Sequence, residues 1–130
     1  SIDDAGGVRL AHALTGGGLP ALRSLHLGIN RLGPATPRAI AGAATQSLHS
    51  LPLGVNPLGA EGAAAFAAAM EAGCTLRTLD FGVAMLSSGA APRLFGALPR
   101  CAALETLRLG VNPLGGDSAS HLAAAVRGLR

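Results

Sequence analysis

The chain has 130 residues, 49% of them hydrophobic and only 13% charged, a length that makes one domain and a composition that argues against intrinsic disorder. No apolar run reaches the roughly 18 residues of a membrane span, because Gly, Arg and Pro interrupt every candidate, and the start Ser1-Ile2-Asp3-Asp4 is neither basic nor followed by a signal-type stretch. The net charge of +3 rests on ten scattered arginines with no lysine, and with neither Trp nor Tyr there is little to stack nucleic-acid bases on, so nucleic acid is not the expected partner.

In chain order, the first element is a helix predicted near Asp4–Leu14. It belongs to a segment, 1–21, that reads as half of a longer unit, with Ile2, Leu10 and Leu14 at offsets that recur downstream. From Leu22 the unit is complete, and it is repeated over 22–47, 48–75, 76–103 and 104–130. Each repeat opens with Leu-x-x-Leu-x-Leu: Leu22, Leu25, Leu27, then Leu48, Leu51, Leu53, then Leu76, Leu79, Phe81, then Leu104, Leu107, Leu109. The period-two alternation predicts strands over Ser24–Leu27, Ser50–Leu53, Thr78–Phe81 and Thr106–Leu109. Three residues further on stands Asn30, Asn56, Ala84 or Asn112, then an apolar residue at Leu32, Leu58, Leu86 or Leu114.

Apolar pairs four apart follow, Ile40/Ala44, Phe66/Met70, Leu94/Leu98 and Leu122/Val126, and predict helices near Pro34–Ala44, Ala60–Ala72, Ala90–Leu98 and Gly116–Arg127. The small residues Gly6, Thr36, Gly62, Ala90 and Ser118 share one position on these helices, where a small side chain lets the helix come close to the sheet. The heptapeptide Leu-Gly-Val-Asn-Pro-Leu-Gly occurs at Leu53–Gly59 and again, two units later, at Leu109–Gly115, while the third repeat carries the degraded Phe-Gly-Val-Ala-Met-Leu-Ser.

A strand followed by a helix at fixed period stacks into a parallel sheet covered by helices on one face. Helices are wider than the ~4.8 Å between strands, so the sheet is expected to line the inside of an arc. The repeat resembles the leucine-rich repeat family, in the longer helix-containing subtype seen in ribonuclease inhibitor, in the sensor regions of NLR-type receptors and in Ran GTPase-activating proteins. The expected fold is therefore an α/β leucine-rich-repeat solenoid, a horseshoe with a concave parallel β-sheet and convex α-helices. The resemblance further implies that Asn30, Asn56 and Asn112 form a ladder of side-chain amides bonded to the backbone of adjacent loops. Ala84 lacks that amide, which leaves either an irregular loop shaped for a partner or ordinary drift. Repeat positions at both ends lack a polar cap, so the segment is expected to belong to a longer solenoid with further repeats in the same chain.

Columns across the strands define the expected protein-binding surface. One is Ser24, Ser50, Thr78, Thr106; the next is His26, Pro52, Asp80, Arg108. A glycine column, Gly28, Gly54, Gly82, Gly110, and an aliphatic one, Ile29, Val55, Val83, Val111, complete it. The aliphatic column reads either as a binding strip or as half-shielded loop packing. Asp80 beside Arg108 reads as an exposed cross-strand ion pair or as a site for a charged partner, and Arg77 beside Glu105 reads the same way. Pro52, in mid-strand, removes one ladder donor.

His12, His26, His49 and His121 fall at unrelated repeat positions, without zinc-site spacing. Cys74 and Cys101 end successive helix-to-strand turns and read as structural thiols in a reduced setting. The run Thr15-Gly16-Gly17-Gly18 precedes Leu19-Pro20 rather than a helix, so it is no phosphate cradle. No nucleophile–base or paired-carboxylate arrangement appears. The expectation is a non-catalytic, cytoplasmic recognition module or scaffold with a protein partner, no cofactor, no metal and no membrane. The alternatives are a Ran-type GTPase activator, none of whose catalytic residues can be matched here, and a structural spacer.

Overall fold

A computed structural model describes residues 1–17 and 19–128, and the side chains up to residue 124. Gly18, Arg130 and the side chains of Val126 and Arg127 thus lie outside the described residues. The elements run α1 (Asp4–Thr15), α2 (Ala35–Ser47), β1 (Ser50–Pro52), α3 (Gly59–Glu71), β2 (Thr78–Asp80), α4 (Ala91–Ala97), a single 3-10 turn (Leu98–Arg100), β3 (Thr106–Arg108) and α5 (Ser118–Gly128). Each helix packs against the next in sequence. The strands form one parallel sheet in the order β1-β2-β3, with Leu51, Leu79 and Leu107 in register.

The expected horseshoe is not what forms. The described residues form a small mixed α/β structure of five helices and a three-stranded sheet that is neither curled nor closed, in place of four strands lining a concave arc. Part of the reason is Pro52. The segment from Leu22 runs alongside β1, and the N–H groups of Leu25 and Leu27 donate to the carbonyls of Ser50 (3.1 Å) and Pro52 (3.0 Å). The return donor at Pro52 does not exist, so the Leu25 carbonyl gets no bond from it. What remains is an isolated bridge, Ser24 to Ser50, instead of a strand over Ser24–Leu27. The other part is extent: three strands at ~4.8 Å spacing are too few for a difference in width between helix and strand layers to accumulate into an arc.

The core lies between the sheet and the helices. Leu51, Leu53, Leu76, Leu79 and Phe81 are fully buried on the strand side, and Ile40, Phe66, Met70, Leu94 and Phe95 on the helix side. Phe66 of α3 meets Phe81 edge-on, ring centroids 5.3 Å apart, a geometry worth roughly 0.5–1.5 kcal/mol beyond burial. Ile2 does not match Leu32. It is 37% exposed, whereas Leu32 is fully buried.

The small helix residues act between helices more than between helix and sheet. A Cβ on Gly62 would lie 3.1 Å from Pro37 of α2, and Thr36 bonds to Asp4 of α1, whereas a Cβ on Gly6 would meet its own Ile2 and Asp3. Helix α2 has no capping side chain of its own, and Asp4 of α1 supplies one from across the interface. Its carboxylate accepts from the N–H groups of Ala35 (3.1 Å) and Thr36 (2.8 Å) and from the Thr36 hydroxyl (2.6 Å). Burial pushes this carboxyl up, but the Thr36 hydroxyl and the N–H groups of Thr36, Ala35 and Gly33 together outweigh it and hold it below the ordinary aspartate range.

The cysteines correct a second expectation. Cys74 and Cys101 are joined in a disulfide, with Cα atoms 4.8 Å apart and a sequence separation of 27, rather than standing as separate thiols. Each sits where a helix turns back to a strand, and stacking one turn on the next brings them within bonding reach.

Candidate functional site

Beyond the short strands the ladder continues through the loops. The N–H groups of Ile29, Val55 and Val83 donate to the carbonyls of Gly54 (2.9 Å), Gly82 (2.7 Å) and Gly110 (2.8 Å). The approach is tight at Gly28 and Gly54, where a Cβ would lie 3.2 Å and 3.1 Å from the carbonyl oxygens of Gly54 and Gly82.

Immediately after, the chain turns through a left-handed residue in every repeat: Ile29 (φ 59°), Val55 (φ 60°), Val83 (φ 52°) and Val111 (φ 57°). That region costs a non-glycine residue roughly 1–2 kcal/mol, and a β-branched side chain is a true outlier there. The asparagines hold the turn closed. The Asn56 amide donates to the Leu53 and Leu27 carbonyls (2.8 Å each), and its oxygen accepts from the Leu32 N–H (3.0 Å). Asn30 accepts from Ile2 N–H and donates to the Leu27 and Gly28 carbonyls. Asn112 accepts from the N–H groups of both Ala84 and Leu86 (3.0 Å each) and donates to the Phe81 and Leu109 carbonyls.

The third repeat keeps the turn without the amide. With no side-chain oxygen at residue 84, the Leu58 N–H closes locally on the Asn56 carbonyl (2.8 Å), and Gly59 N–H takes the Ala84 carbonyl (3.1 Å). Leu114, in the last repeat, closes on the Asn112 carbonyl in the same way (2.8 Å). The missing rung is thus replaced by backbone bonds. Met85, the residue after Ala84, is also left-handed (φ 58°) and 64% exposed.

All four aliphatic side chains reach solvent: Ile29 is 77% exposed, Val55 46%, Val83 44% and Val111 83%. Half-shielded packing therefore describes Val55 and Val83 but not the two ends of the row. The glycines leave a shallow groove of about 380 Å³ along it, between Ile29, Val55 and Val83 on one side and Pro52 and Asp80 on the other. A different opening, about 280 Å³, lies at the outer edge of β3 between Leu104, Leu107, Leu109 and Leu122.

The hydroxyl column is only partly regular. Ser50, Thr78 and Thr106 are half-buried and in register, while Ser24 is exposed and bonded to His26 Nε2 at 3.1 Å. Asp80 and Arg108 are register partners but not an ion pair: Asp80 turns to accept from the Gly82 N–H (2.8 Å). Arg77 and Glu105 do pair, at 2.7 Å, both more than half exposed, a contact worth about 0–1 kcal/mol. Among the described residues no group of His, Cys, Asp and Glu is arranged to hold a metal ion, and no helix is long and apolar enough to cross a membrane.

Sequence patterning missed the left-handed turns, because it reports which side chains alternate and not the sign of φ. The available signal was a β-branched residue between Gly and Asn in three of the four copies, since Gly-x-Asn with a tight return is a turn pattern. No known family model and no curated protein matches this chain.

Proposed function

We propose that this chain is a non-catalytic protein-recognition module of the leucine-rich-repeat family that takes its partner on the row Ile29, Val55, Val83 and Val111. One observation carries the reading: the fold holds four β-branched side chains in a costly backbone conformation and leaves them exposed. Asn or Gly in those places would be cheaper for folding. An exposed apolar row that gains the fold little is the mark of a surface kept for a partner. Ser50, Thr78 and Thr106 supply polar contacts beside it, with Ser24, His26, Asp80 and Arg108 at the margins.

The test needs no partner in hand. Replacing Ile29, Val55, Val83 and Val111 together by Asn, which tolerates the left-handed region, is expected to keep the fold and hold stability within about 1 kcal/mol of the parent or raise it. A clear fall in the urea midpoint would mean that the row serves packing, and the reading would go. A spacer would also keep its stability, but only a recognition module loses binding with the row. Stimulated GTP hydrolysis by a Ran-type GTPase would instead favour the activator alternative, for which no residue has been matched. The Cys74–Cys101 bond favours an oxidising compartment over the expected cytoplasm, because cytosolic disulfides are rare.

A further inference from the structure

Going beyond the recognition reading, we infer that Met85 is a reversible oxidation site. It takes one oxygen atom from a peroxide and yields it to a methionine sulfoxide reductase, on a turn that keeps its shape throughout. Cysteine and methionine are the side chains that climb the two-electron oxidation ladder, and susceptibility follows thiolate character and exposure. This chain has two of each, with no Trp or Tyr beside them. Cys74 and Cys101 are joined to each other, so neither offers a thiolate. Met70 is fully buried in the core, whereas Met85 is 64% exposed. A peroxide meeting the folded protein therefore finds one open sulfur.

That exposure is built into the repeat. Arg31, Pro57 and Pro113 hold the corresponding place in the other three copies, and all are exposed. In the third repeat the residues on either side, Ala84 and Leu86, are fully buried. Their N–H groups both donate to Asn112 Oδ1, at 3.0 Å each, and the Ala84 carbonyl accepts from the Gly59 N–H at 3.1 Å. The backbone is thus fixed on both flanks of Met85, with its left-handed φ of 58°, and the side chain is turned out. None of these bonds uses the thioether, so a change at the sulfur leaves the turn intact.

The step needs only the peroxide. A sulfur lone pair attacks one peroxide oxygen, the S–O bond forms as the O–O bond breaks, and the departing oxygen leaves as water with the proton of the transferred one. Sulfur loses two electrons and the peroxide gains them. On the return, two reductase thiols supply two electrons and close to a disulfide, and the oxygen departs as water. A flexible apolar side chain becomes a polar one and back again. Met85 lies two residues after Val83, so this end of the loop alternates between apolar and polar surface with peroxide level.

Dilute hydrogen peroxide on the intact, disulfide-bonded protein tests the inference, read by intact-mass and peptide mass spectrometry. The expected product carries one added oxygen, on Met85, with Met70 reacting only once urea unfolds the chain. Its urea midpoint should match that of the untreated protein, and its retention on a hydrophobic-interaction column should fall. The two epimer-specific sulfoxide reductases should remove the oxygen. A Met85→Leu variant should take up no oxygen and keep its retention under the same treatment. Oxidation of Met70 in the folded protein at a rate like that of Met85 would overturn the inference, as would resistance of the Met85 sulfoxide to both reductases. A lowered urea midpoint, or unchanged retention, after oxidation of Met85 alone would equally sink it.

Discussion

Asn56 is enclosed by the loops it joins, 1% exposed, with its amide shared between the Leu27 and Leu53 carbonyls and its oxygen taken by the Leu32 N–H. Asn56→Ala strands those backbone groups and is expected to cost about 1–3 kcal/mol, whereas Ser50→Ala, at a half-exposed strand position, should cost a few tenths. Urea denaturation compares the two, and equal losses would show that the amide is not what holds the turn. Asp4 acts across helices rather than across loops. Its folded carboxyl titrates below the unfolded value of about 4, so the unfolded chain binds more protons in that window. The stabilisation is therefore complete above that pH and lost as the pH falls through the lowered folded value. Asp4→Asn is expected to lower stability at neutral pH and to flatten the acid side of the stability profile. Parallel profiles for parent and variant would remove the inter-helix cap as a contributor.

At the scale of elements, the first repeat shows how one missing donor decides whether a segment counts as a strand. Leu25 and Leu27 donate to β1 with ordinary geometry, and the partner that fails to answer is Pro52. Pro52→Thr restores an N–H opposite the Leu25 carbonyl. The new bond is worth roughly 0.5–1.5 kcal/mol net, but releasing the proline ring loosens the unfolded chain by about 0.4–1 kcal/mol. Total stability should therefore move little. Hydrogen exchange is the discriminating measurement: the amide at residue 52 should be protected, and those of Leu25 and Leu27 should exchange more slowly. Rapid exchange at residue 52 would mean that something other than the proline keeps the first segment out of the sheet.

At the scale of the whole molecule, layers are held by contacts between one repeat and the next, and the Cys74–Cys101 bond fastens the turns below the third and fourth strand segments. Closing a loop of 27 residues removes unfolded-state entropy worth roughly 3–4 kcal/mol. Reduction should lower the unfolding midpoint in urea. Exchange protection should fall first around Leu98, Cys101 and Leu104, which pack beside the bond and next to the opening at the β3 edge. An unchanged midpoint after reduction would show that stacking alone holds this end together.

The order and approximate limits of five helices were legible in the sequence, as were the buried positions of the two inner Leu-x-x-Leu-x-Leu copies, because both follow from local periodicity, while Leu104, Leu107 and Leu109 of the last copy are only partly buried. Asn30, Asn56 and Asn112 were legible as positions for the same reason, three residues past the strand in every copy that has them. Tertiary structure decided what depends on two distant segments meeting. The strand count was settled by whether residue 52 could answer residue 25; the helix α2 cap came from a carboxylate 31 residues before the Ala35 N–H that donates to it; the state of the cysteines followed from two turns stacked 4.8 Å apart at Cα. The left-handed turns at Ile29, Val55, Val83 and Val111 belong with these. Ile29 and Val55 are held by a carbonyl of the next repeat on one side and their own loop's asparagine on the other, Val83 by the carbonyl alone and Val111 by the asparagine alone. A side chain's own preference could not have announced them, since every one of these residues would choose the opposite sign of φ if left to itself.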